Sequence, residues 1–201
     1  MLYWIFYGVA GFLRWLYFPT KVIGYEHVPR RGGFILASNH ASNLDPFALG
    51  IIFPRRVSFI AKDSLFKSKI SSFLFHNMGA FPIRRESSDF RAIRETLKRL
   101  KKGFPVVIFP EGTRLAAKRT KRVQAGIGLI AVKSGVPVVP TYIEGTDKVL
   151  GFDSKWFKRS PITVIIGEPR IYTPEQSYED IAHHILDDIQ FLAAHSSQLK
   201  R

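Results

Sequence analysis

Beyond residue 20 the chain alternates short runs of β-branched and aromatic residues with segments of helical periodicity, and this alternation constrains the fold more than any other feature. The short runs predict strands at 34–38, 57–61, 80–84, 106–110, 136–143 and 162–166. The segments between them predict helices at 44–52, 63–77, 88–102 and 124–134. Parallel strands need a crossover connection, which is usually a helix. We therefore expect an α/β fold with a largely parallel sheet covered by helices.

A last helix is predicted from capping signals near the C-terminus. Thr173 is the expected N-cap, Pro174 occupies the first helical position and Gln176 completes a capping box. The apolar residues that follow at helical spacing are Tyr178, Ile181, Ile185, Ile189 and Leu192. This stripe indicates a structural helix that packs against the core.

The first 18 residues form an aromatic, apolar segment with no acidic residue. As a helix it would be about 27 Å long, slightly shorter than the ~30 Å hydrocarbon layer of a bilayer. Tyr3, Tyr7, Arg14 and Tyr17 fall on one stripe, opposite an apolar side. An amphipathic helix rich in Trp and Tyr is suited to the headgroup boundary of a membrane. A buried core helix and a marginal membrane span are the alternatives.

Positive charge is concentrated in one part of the chain. The formal net charge is +14, and residues 55–122 hold 18 of the 30 Lys and Arg residues but 5 of the 16 acidic ones. Such an excess indicates an anionic partner, which can be a nucleic acid, a membrane surface or an acidic substrate or carrier. The absence of cysteine excludes thiol nucleophiles, zinc–thiolate sites and disulfides.

A histidine and an aspartate follow the predicted strand at 34–38. Ligands of open α/β sheets bind at the carboxyl ends of strands, which is where His40 lies. A histidine can take a proton from an alcohol near neutral pH, and Asp45 can fix its tautomer by accepting from the other ring nitrogen. Asn39 and Asn43 are expected to shape the turn between them. A capping aspartate beside a turn histidine is the alternative interpretation.

Cationic side chains follow three other predicted strands. The strand at 106–109 continues into Pro110–Arg114, which combines a glycine with a guanidinium able to hold a phosphate through two hydrogen bonds. Arg84 ends one strand and Lys62 follows another. One general base and several cations at one sheet edge suit proton abstraction beside a bound phosphate.

These blocks resemble, in order and spacing, the motifs of the glycerolipid acyltransferases. Residues 39–45 resemble the NHxxxxD motif, 79–84 the second block, 109–114 the FPEGTR block and 136–143 the proline-containing fourth block. The resemblance covers roughly residues 20–170. It implies transfer of an acyl group from an acyl thioester to the sn-2 hydroxyl of a lysophosphatidic acid, which makes phosphatidic acid in phospholipid biosynthesis.

The resemblance also implies how the reaction is catalysed. His40 would deprotonate the hydroxyl, and Asp45 would orient His40. A backbone N–H near Gly112 would stabilise the oxyanion of the tetrahedral intermediate. Acyl-CoA or acyl carrier protein would be the co-substrate. No nucleophilic serine is required, because the acyl group can pass directly to the alcohol. No metal and no other cofactor is expected, since the candidate site lacks a convergent cluster of His and carboxylate residues.

A further group of residues matches the family positions associated with the acceptor's phosphate: Lys62, Arg84, Glu111 and Arg114. Because a carboxylate is an unusual phosphate ligand, Glu111 is expected to hold Arg84 or Arg114 through an ion pair. A surface salt bridge is the alternative for Glu111. The residues that complete the motifs are Asn39, Thr113 and Pro140.

We expect two parts in the chain, a membrane-associating helix over 1–20 and an acyltransferase domain over 21–201. Lys21, Arg30 and Arg31 favour placing the catalytic domain on the cytoplasmic side of the membrane. The basic runs at 118–122 and 98–102 are candidate docking surfaces for anionic headgroups, coenzyme A phosphates or an acidic carrier protein. A solvated helix end complemented by cations is the alternative for the second run.

Two other functions are compatible with parts of the sequence. A nucleic-acid-binding domain would account for the charge, but it leaves the aromatic N-terminal segment and the His40–Asp45 pair without a purpose. An acyltransferase for another lysophospholipid would use the same residues with a larger headgroup.

Overall fold

The computed structural model describes residues 2–83, 90–111, 125–151 and 156–199. The helices are α1 (Leu2–Tyr17), α2 (Asp45–Ile51), α3 (Lys69–Asn77), α4 (Phe90–Lys101), α5 (Gly126–Ser134), α6 (Thr146–Val149), α7 (Tyr178–Ala194) and α8 (Ser196–Leu199). The strands are β1 (Thr20–Ile23), β2 (Ile35–Ser38), β3 (Ser58–Lys62), β4 (Ala80–Ile83), β5 (Val106–Ile108), β6 (Val138–Glu144) and β7 (Ile162–Ile166). Short 3-10 helices lie at Tyr25–His27 and Asp63–Phe66.

The described strands form one sheet in the order β1-β7-β6-β2-β5-β3-β4. Every neighbouring pair runs parallel except β6 and β7. β2 is buried along its whole length, with Ile35 beside Val106 of β5 on one side and Val138 of β6 on the other. The predicted α/β fold with a largely parallel sheet is confirmed.

The sheet separates two layers of helices. Alternate side chains of β2 point to opposite faces, so Leu36 joins one apolar cluster while Ile35 and Ala37 join another. The cluster around Leu36 includes Phe18, next to the end of α1, together with residues of α2 and the inner side of α3. The second cluster takes its helical residues from α4, α5 and α7. Helices α1, α2 and α3 therefore cover one face, and α4, α5 and α7 cover the other.

The prediction of a single helix at 63–77 is wrong, because the helical conformation is interrupted at Ser68. Ser68 has extended backbone angles and caps α3 by accepting a hydrogen bond at 3.0 Å from the backbone N–H of Ser71. Phe66 and Phe75 both pack against the cluster around Leu36. Nine residues of continuous helix would place them on opposite sides, at about 100° per residue. The break allows both rings to face the core.

The predicted start of the last helix is also wrong. Ser177, not Thr173, is the N-cap, and its Oγ accepts a hydrogen bond at 3.1 Å from the backbone N–H of Asp180. The two capping signals lie four residues apart, so the local sequence does not choose between them. Packing favours the second, because the backbone of Tyr178 lies against Gly128 of α5. Four residues of the predicted apolar stripe, Ile181, Ile185, Ile189 and Leu192, are buried, whereas Tyr178 at the start of the helix is exposed.

The N-terminal region adds an element that the sequence does not predict. β1 is a four-residue strand that pairs in parallel with β7, and it begins three residues after the end of α1. Within the described residues no helix is long and apolar enough to cross a membrane. The expected division into a helix over 1–20 and a domain over 21–201 stays a prediction.

The contact between α5 and α7 provides a test of the packing. A Cβ at Gly128 would overlap the backbone oxygen of Tyr178, so Gly128→Ala must push the helices apart. We expect the free energy of unfolding to fall by about 1–3 kcal/mol in urea denaturation. Gly126→Ala in the same helix is the matched control, because nothing lies within 4 Å of that Cβ position. Equal destabilisation by both substitutions would contradict this close packing of α5 against α7.

Candidate active site

His40 and Asp45 are in direct contact at the carboxyl edge of the sheet. His40 lies two residues beyond β2, and its Nδ1 is 2.8 Å from Oδ2 of Asp45, the first residue of α2. Asp45 is fully buried and His40 is 8% exposed. Because Oδ2 also accepts from backbone N–H groups, it acts as the acceptor for the ring as well. Nδ1 therefore carries the proton, and the lone pair of the neutral ring is on Nε2.

The same carboxylate oxygen also shapes the loop between the two residues. Oδ2 of Asp45 accepts hydrogen bonds from the backbone N–H groups of Ala41, at 2.7 Å, and Ser42, at 2.8 Å. The hydroxyl of Ser42 in turn donates to the backbone oxygen of Leu150 at 2.7 Å. Asp45 thus holds both the backbone that carries His40 and the imidazole itself.

Asn39 connects the end of β2 to β6. Its amide nitrogen donates to the backbone oxygen of Ile143 at 2.8 Å, and its amide oxygen accepts from the backbone N–H of Ile143 at 2.8 Å. The backbone pairing of β2 with β6 ends at Ser38 and Thr141, and beyond it the side chain of Asn39 links the two chain segments. Asn39 therefore acts across the sheet, where the sequence predicts only a role in the turn.

Phe109, the first residue of the FPEGTR-like block, belongs to the site, although the sequence assigns it no role. Its ring lies almost parallel to the imidazole of His40, with ring centroids 4.0 Å apart and an interplanar angle of 16°. Phe109 directly follows β5, which is hydrogen-bonded to β2 with Ala37 beside Ile108. The register places Phe109 next to Ser38, so a correct pairing of these strands would have identified it. Its aromatic face limits rotation of the histidine ring.

The structure places Lys62, Glu111 and Pro140 in different positions relative to this pair. Lys62 is the exposed last residue of β3, two strands away from β2 at the same edge. Glu111 lies three residues beyond the end of β5 and is half-buried. Pro140 is buried inside β6 beside Ala37. The edge that carries His40 therefore also carries Lys62 and Glu111.

Four other predicted site residues lie outside the described residues: Arg84, Gly112, Thr113 and Arg114. Their expected roles, and the ion pair expected for Glu111, stay predictions. In the described parts of the chain no three His, Asp or Glu side chains are grouped closely enough to hold a metal ion. The expectation that neither a metal nor another cofactor takes part also stays a prediction.

Comparison with known proteins identifies relatives of the chain. Residues 19–144, which include the described site residues, match the family model described as Acyltransferase. The 1-acyl-sn-glycerol-3-phosphate acyltransferase of Bacillus subtilis is 35% identical over 152 residues, which are 75% of this chain and 73% of that protein. The chloroplastic 1-acyl-sn-glycerol-3-phosphate acyltransferase BAT2 of Brassica napus is 31% identical over 157 residues, 76% of this chain and 45% of that protein.

A solved structure shows the same fold. The crystal structure of the 1-acyl-sn-glycerophosphate (LPA) acyltransferase PlsC from Thermotoga maritima matches with a TM-score of 0.74 and 26% identity. The match covers 94% of this chain and 77% of that chain. The similarity therefore extends beyond the motifs to the arrangement of the whole sheet and its helices.

The stacking of Phe109 on His40 can be tested by spectroscopy. In Phe109→Leu the aromatic face is lost, so the imidazole is held less firmly and its Nδ1–H should exchange faster with water. We expect the proton NMR resonance of this Nδ1–H, identified by its loss in His40→Ala, to broaden or disappear. Phe47→Leu is the control, because Phe47 contacts Phe59 at a centroid distance of 5.6 Å in the same cluster. An unchanged resonance in Phe109→Leu would show that the stacking does not position the ring.

Proposed function

The chain belongs to the acyltransferase family, and from this premise we propose that it is a 1-acyl-sn-glycerol-3-phosphate acyltransferase. It moves an acyl group from an acyl thioester to the sn-2 hydroxyl of lysophosphatidic acid, and the product is phosphatidic acid for phospholipid biosynthesis. The observation that carries the proposal is the contact between His40 and Asp45 at the carboxyl edge of the sheet. This contact leaves Nε2 as the basic atom of a buried ring.

In the proposed reaction Nε2 of His40 takes the proton of the sn-2 hydroxyl as its oxygen attacks the thioester carbonyl carbon. The imidazolium that forms is stabilised by the carboxylate of Asp45 and by the face of Phe109. The tetrahedral intermediate then collapses, the carbon–sulfur bond breaks and the thiolate leaves. The proton on Nε2 passes to the sulfur, so His40 returns to its starting state.

The charges that develop or bind during the reaction are assigned to neighbouring loops. We assign the oxyanion to a backbone N–H near Gly112, because it follows β5, the strand beside β2. The phosphate of lysophosphatidic acid is assigned to Lys62, Arg84 and Arg114, with Glu111 holding one of the arginines. The position of Lys62 supports this assignment: it ends β3, and β3 and β2 are two strands apart in the sheet, a spacing of roughly 10 Å.

The acyl donor is proposed as either acyl-CoA or an acyl carrier protein. Both supply a thioester and neither requires a metal. The basic residues Lys98, Lys101 and Lys102 are exposed at the end of α4, which precedes the amino end of β5. They therefore lie at the edge opposite His40, where they are available to an anionic partner outside the reacting centre. The basic run at 118–122 lies outside the described residues.

We propose that the protein is membrane-associated through α1, with the catalytic domain on the cytoplasmic side. Trp4, Phe12 and Leu16 are 53%, 61% and 41% exposed. Tyr7 and Arg14 are half-buried, and the ring of Tyr7 contacts that of Trp4 at a centroid distance of 5.6 Å. Burial raises the pKa of Tyr7, which the Arg14 charge partly offsets. Trp4, Phe12 and Leu16 thus provide exposed apolar surface that is suited to lipid, together with Tyr17, which is 43% exposed.

The proposed activity is tested by the product formed from lysophosphatidic acid. Purified protein is incubated with lysophosphatidic acid and either acyl-CoA or acyl carrier protein loaded with the same chain, and the lipids are identified by mass spectrometry. We expect phosphatidic acid with at least one donor. Parallel assays with lysophosphatidylcholine and lysophosphatidylethanolamine define the acceptor. Faster acylation of one of these lipids would contradict the proposed substrate.

The role of His40 is tested by substitution. His40→Ala removes the general base, so we expect kcat to fall by at least ~100-fold, with the thermal unfolding curve preserved. His183→Ala is the control, because His183 is exposed on α7 on the opposite layer from α2. Near-normal acyl transfer by a folded His40→Ala protein would contradict the mechanism.

A further inference from the structure

The outward side of α3 is apolar, which is unusual for a helix on the surface of a domain. Ile70 is 75% exposed, Phe73 is 59% exposed and Leu74 is 36% exposed. At about 100° per residue these three side chains fall within one arc of roughly 100°. Phe75, on the opposite side, packs against the core. The core-facing side of α3 is thus already occupied, and a second apolar side is left on the surface.

Cations lie next to this apolar surface. Lys67 and Lys69 are exposed, and together with His76 they line an open groove of about 490 Å³. Phe66 and Phe73 form apolar parts of the same groove. Apolar side chains flanked by lysines match the chemistry of an anionic lipid surface, where acyl chains lie beneath phosphate headgroups.

We propose that the exposed face of α3, formed by Ile70, Phe73 and Leu74 and flanked by Lys67 and Lys69, is a second membrane-docking surface. It inserts its apolar side chains between anionic lipids while the lysines contact the headgroups. The proposal rests on the proposed membrane association of the enzyme and extends it to a helix of the catalytic domain.

The position of α3 in the fold favours lipid as the occupant. α3 lies on the same face of the sheet as α2, which α1 contacts, and the exposed side chains of α1 include Trp4, Phe12 and Leu16. In the opposite layer the outward side of α4 carries exposed cations: Arg94, Lys98, Lys101 and Lys102. Two groups of exposed apolar residues in one layer are suited to one extended lipid surface. A protein partner would need to match only one of them.

Docking through α3 also relates the lipid surface to the active site. The 3-10 helix Asp63–Phe66 directly follows Lys62 at the edge that carries His40, and α3 begins three residues later. Leu65 in this 3-10 helix is 43% exposed. The end of the docking surface nearest the site therefore lies beside the residue assigned to the acceptor's phosphate. A lysophosphatidic acid molecule can reach Lys62 without leaving the lipid surface completely.

The proposal is tested with the double variant Ile70→Glu/Phe73→Glu in the full chain. Sedimentation with vesicles of phosphatidylcholine containing about one third phosphatidylglycerol measures the partition coefficient. We expect at least a ~10-fold loss, because two apolar contacts are replaced by carboxylates that anionic lipid repels. Ile171→Glu/Phe191→Glu is the matched control. Its two side chains are 66% and 61% exposed, and Phe191 lies on α7 in the opposite layer.

Two additional measurements separate folding and charge from insertion. Ile70→Glu alone, at the most exposed position of the face, should also weaken vesicle binding while leaving the unfolding temperature unchanged. Lys67→Gln/Lys69→Gln should reduce binding to the anionic vesicles and leave binding to pure phosphatidylcholine unchanged. Wild-type partition in Ile70→Glu/Phe73→Glu would overturn the proposal. If the wild-type protein is a dimer and the double variant is a monomer with unchanged partition, the proposal is also overturned. In that case α3 contacts a second copy of the chain and not lipid.

Activity assays distinguish failure of this proposal from failure of the proposed function. With a short-chain lysophosphatidic acid that is dispersed as monomers, the double variant should retain wild-type kcat. With lysophosphatidic acid embedded in the anionic vesicles, its rate should fall in proportion to the loss of binding. If the wild-type protein acylates neither substrate, the proposed function fails, whereas the vesicle-binding results still decide whether α3 docks on lipid.

Discussion

The parallel pairing of β2 with β5 on one side and β6 on the other is the constraint on which the candidate site depends. It places the loop that starts at Asn39 between the ends of two strands that are far away in sequence. Asn39 and Ile143 are 104 residues apart, yet two hydrogen bonds join them. On the other side Phe109 reaches the ring of His40 because β5 ends one residue before it. A one-residue shift of β2 would exchange the side chains that it presents to two apolar clusters of different composition.

Within that frame a single carboxylate oxygen connects loop geometry to proton chemistry. Oδ2 of Asp45 accepts from two backbone N–H groups and from His40, while Oδ1 is buried and makes no hydrogen bond within the described residues. An asparagine that kept its oxygen at Oδ2 would bury an unsatisfied NH2 group at Oδ1, a cost of about 1–3 kcal/mol. Replacing Asp45 by asparagine therefore lowers stability at the same time as it removes the negative charge beside His40. His40 is the cleaner position at which to probe the chemistry.

Local sequence predicts those features that depend on local interactions. The strand at 162–166 is predicted with its observed bounds, and the contact between His40 and Asp45 follows from residues five apart across one turn. The break at Ser68 is not predicted, because it depends on where Phe66 and Phe75 meet the core. The stacking of Phe109 requires a strand pairing that periodicity alone does not define. Tertiary packing decides these features, so the motifs indicate the chemistry more reliably than the details of the site.

The two sides of the sheet differ in what their helices present to the surroundings. α1 and α3 expose aromatic and aliphatic side chains on one side, whereas on the other side the exposed residues combine Arg94, Lys98 and Lys101 of α4 with the aromatic residues Phe90 and Phe191. The site lies at the carboxyl edge, where both layers end. If lipid covers the first layer, the acceptor approaches from that side, and the second layer stays open to a water-soluble acyl donor. His40, held between β5 and β6, is then the point at which an alcohol from the membrane meets a thioester from solution.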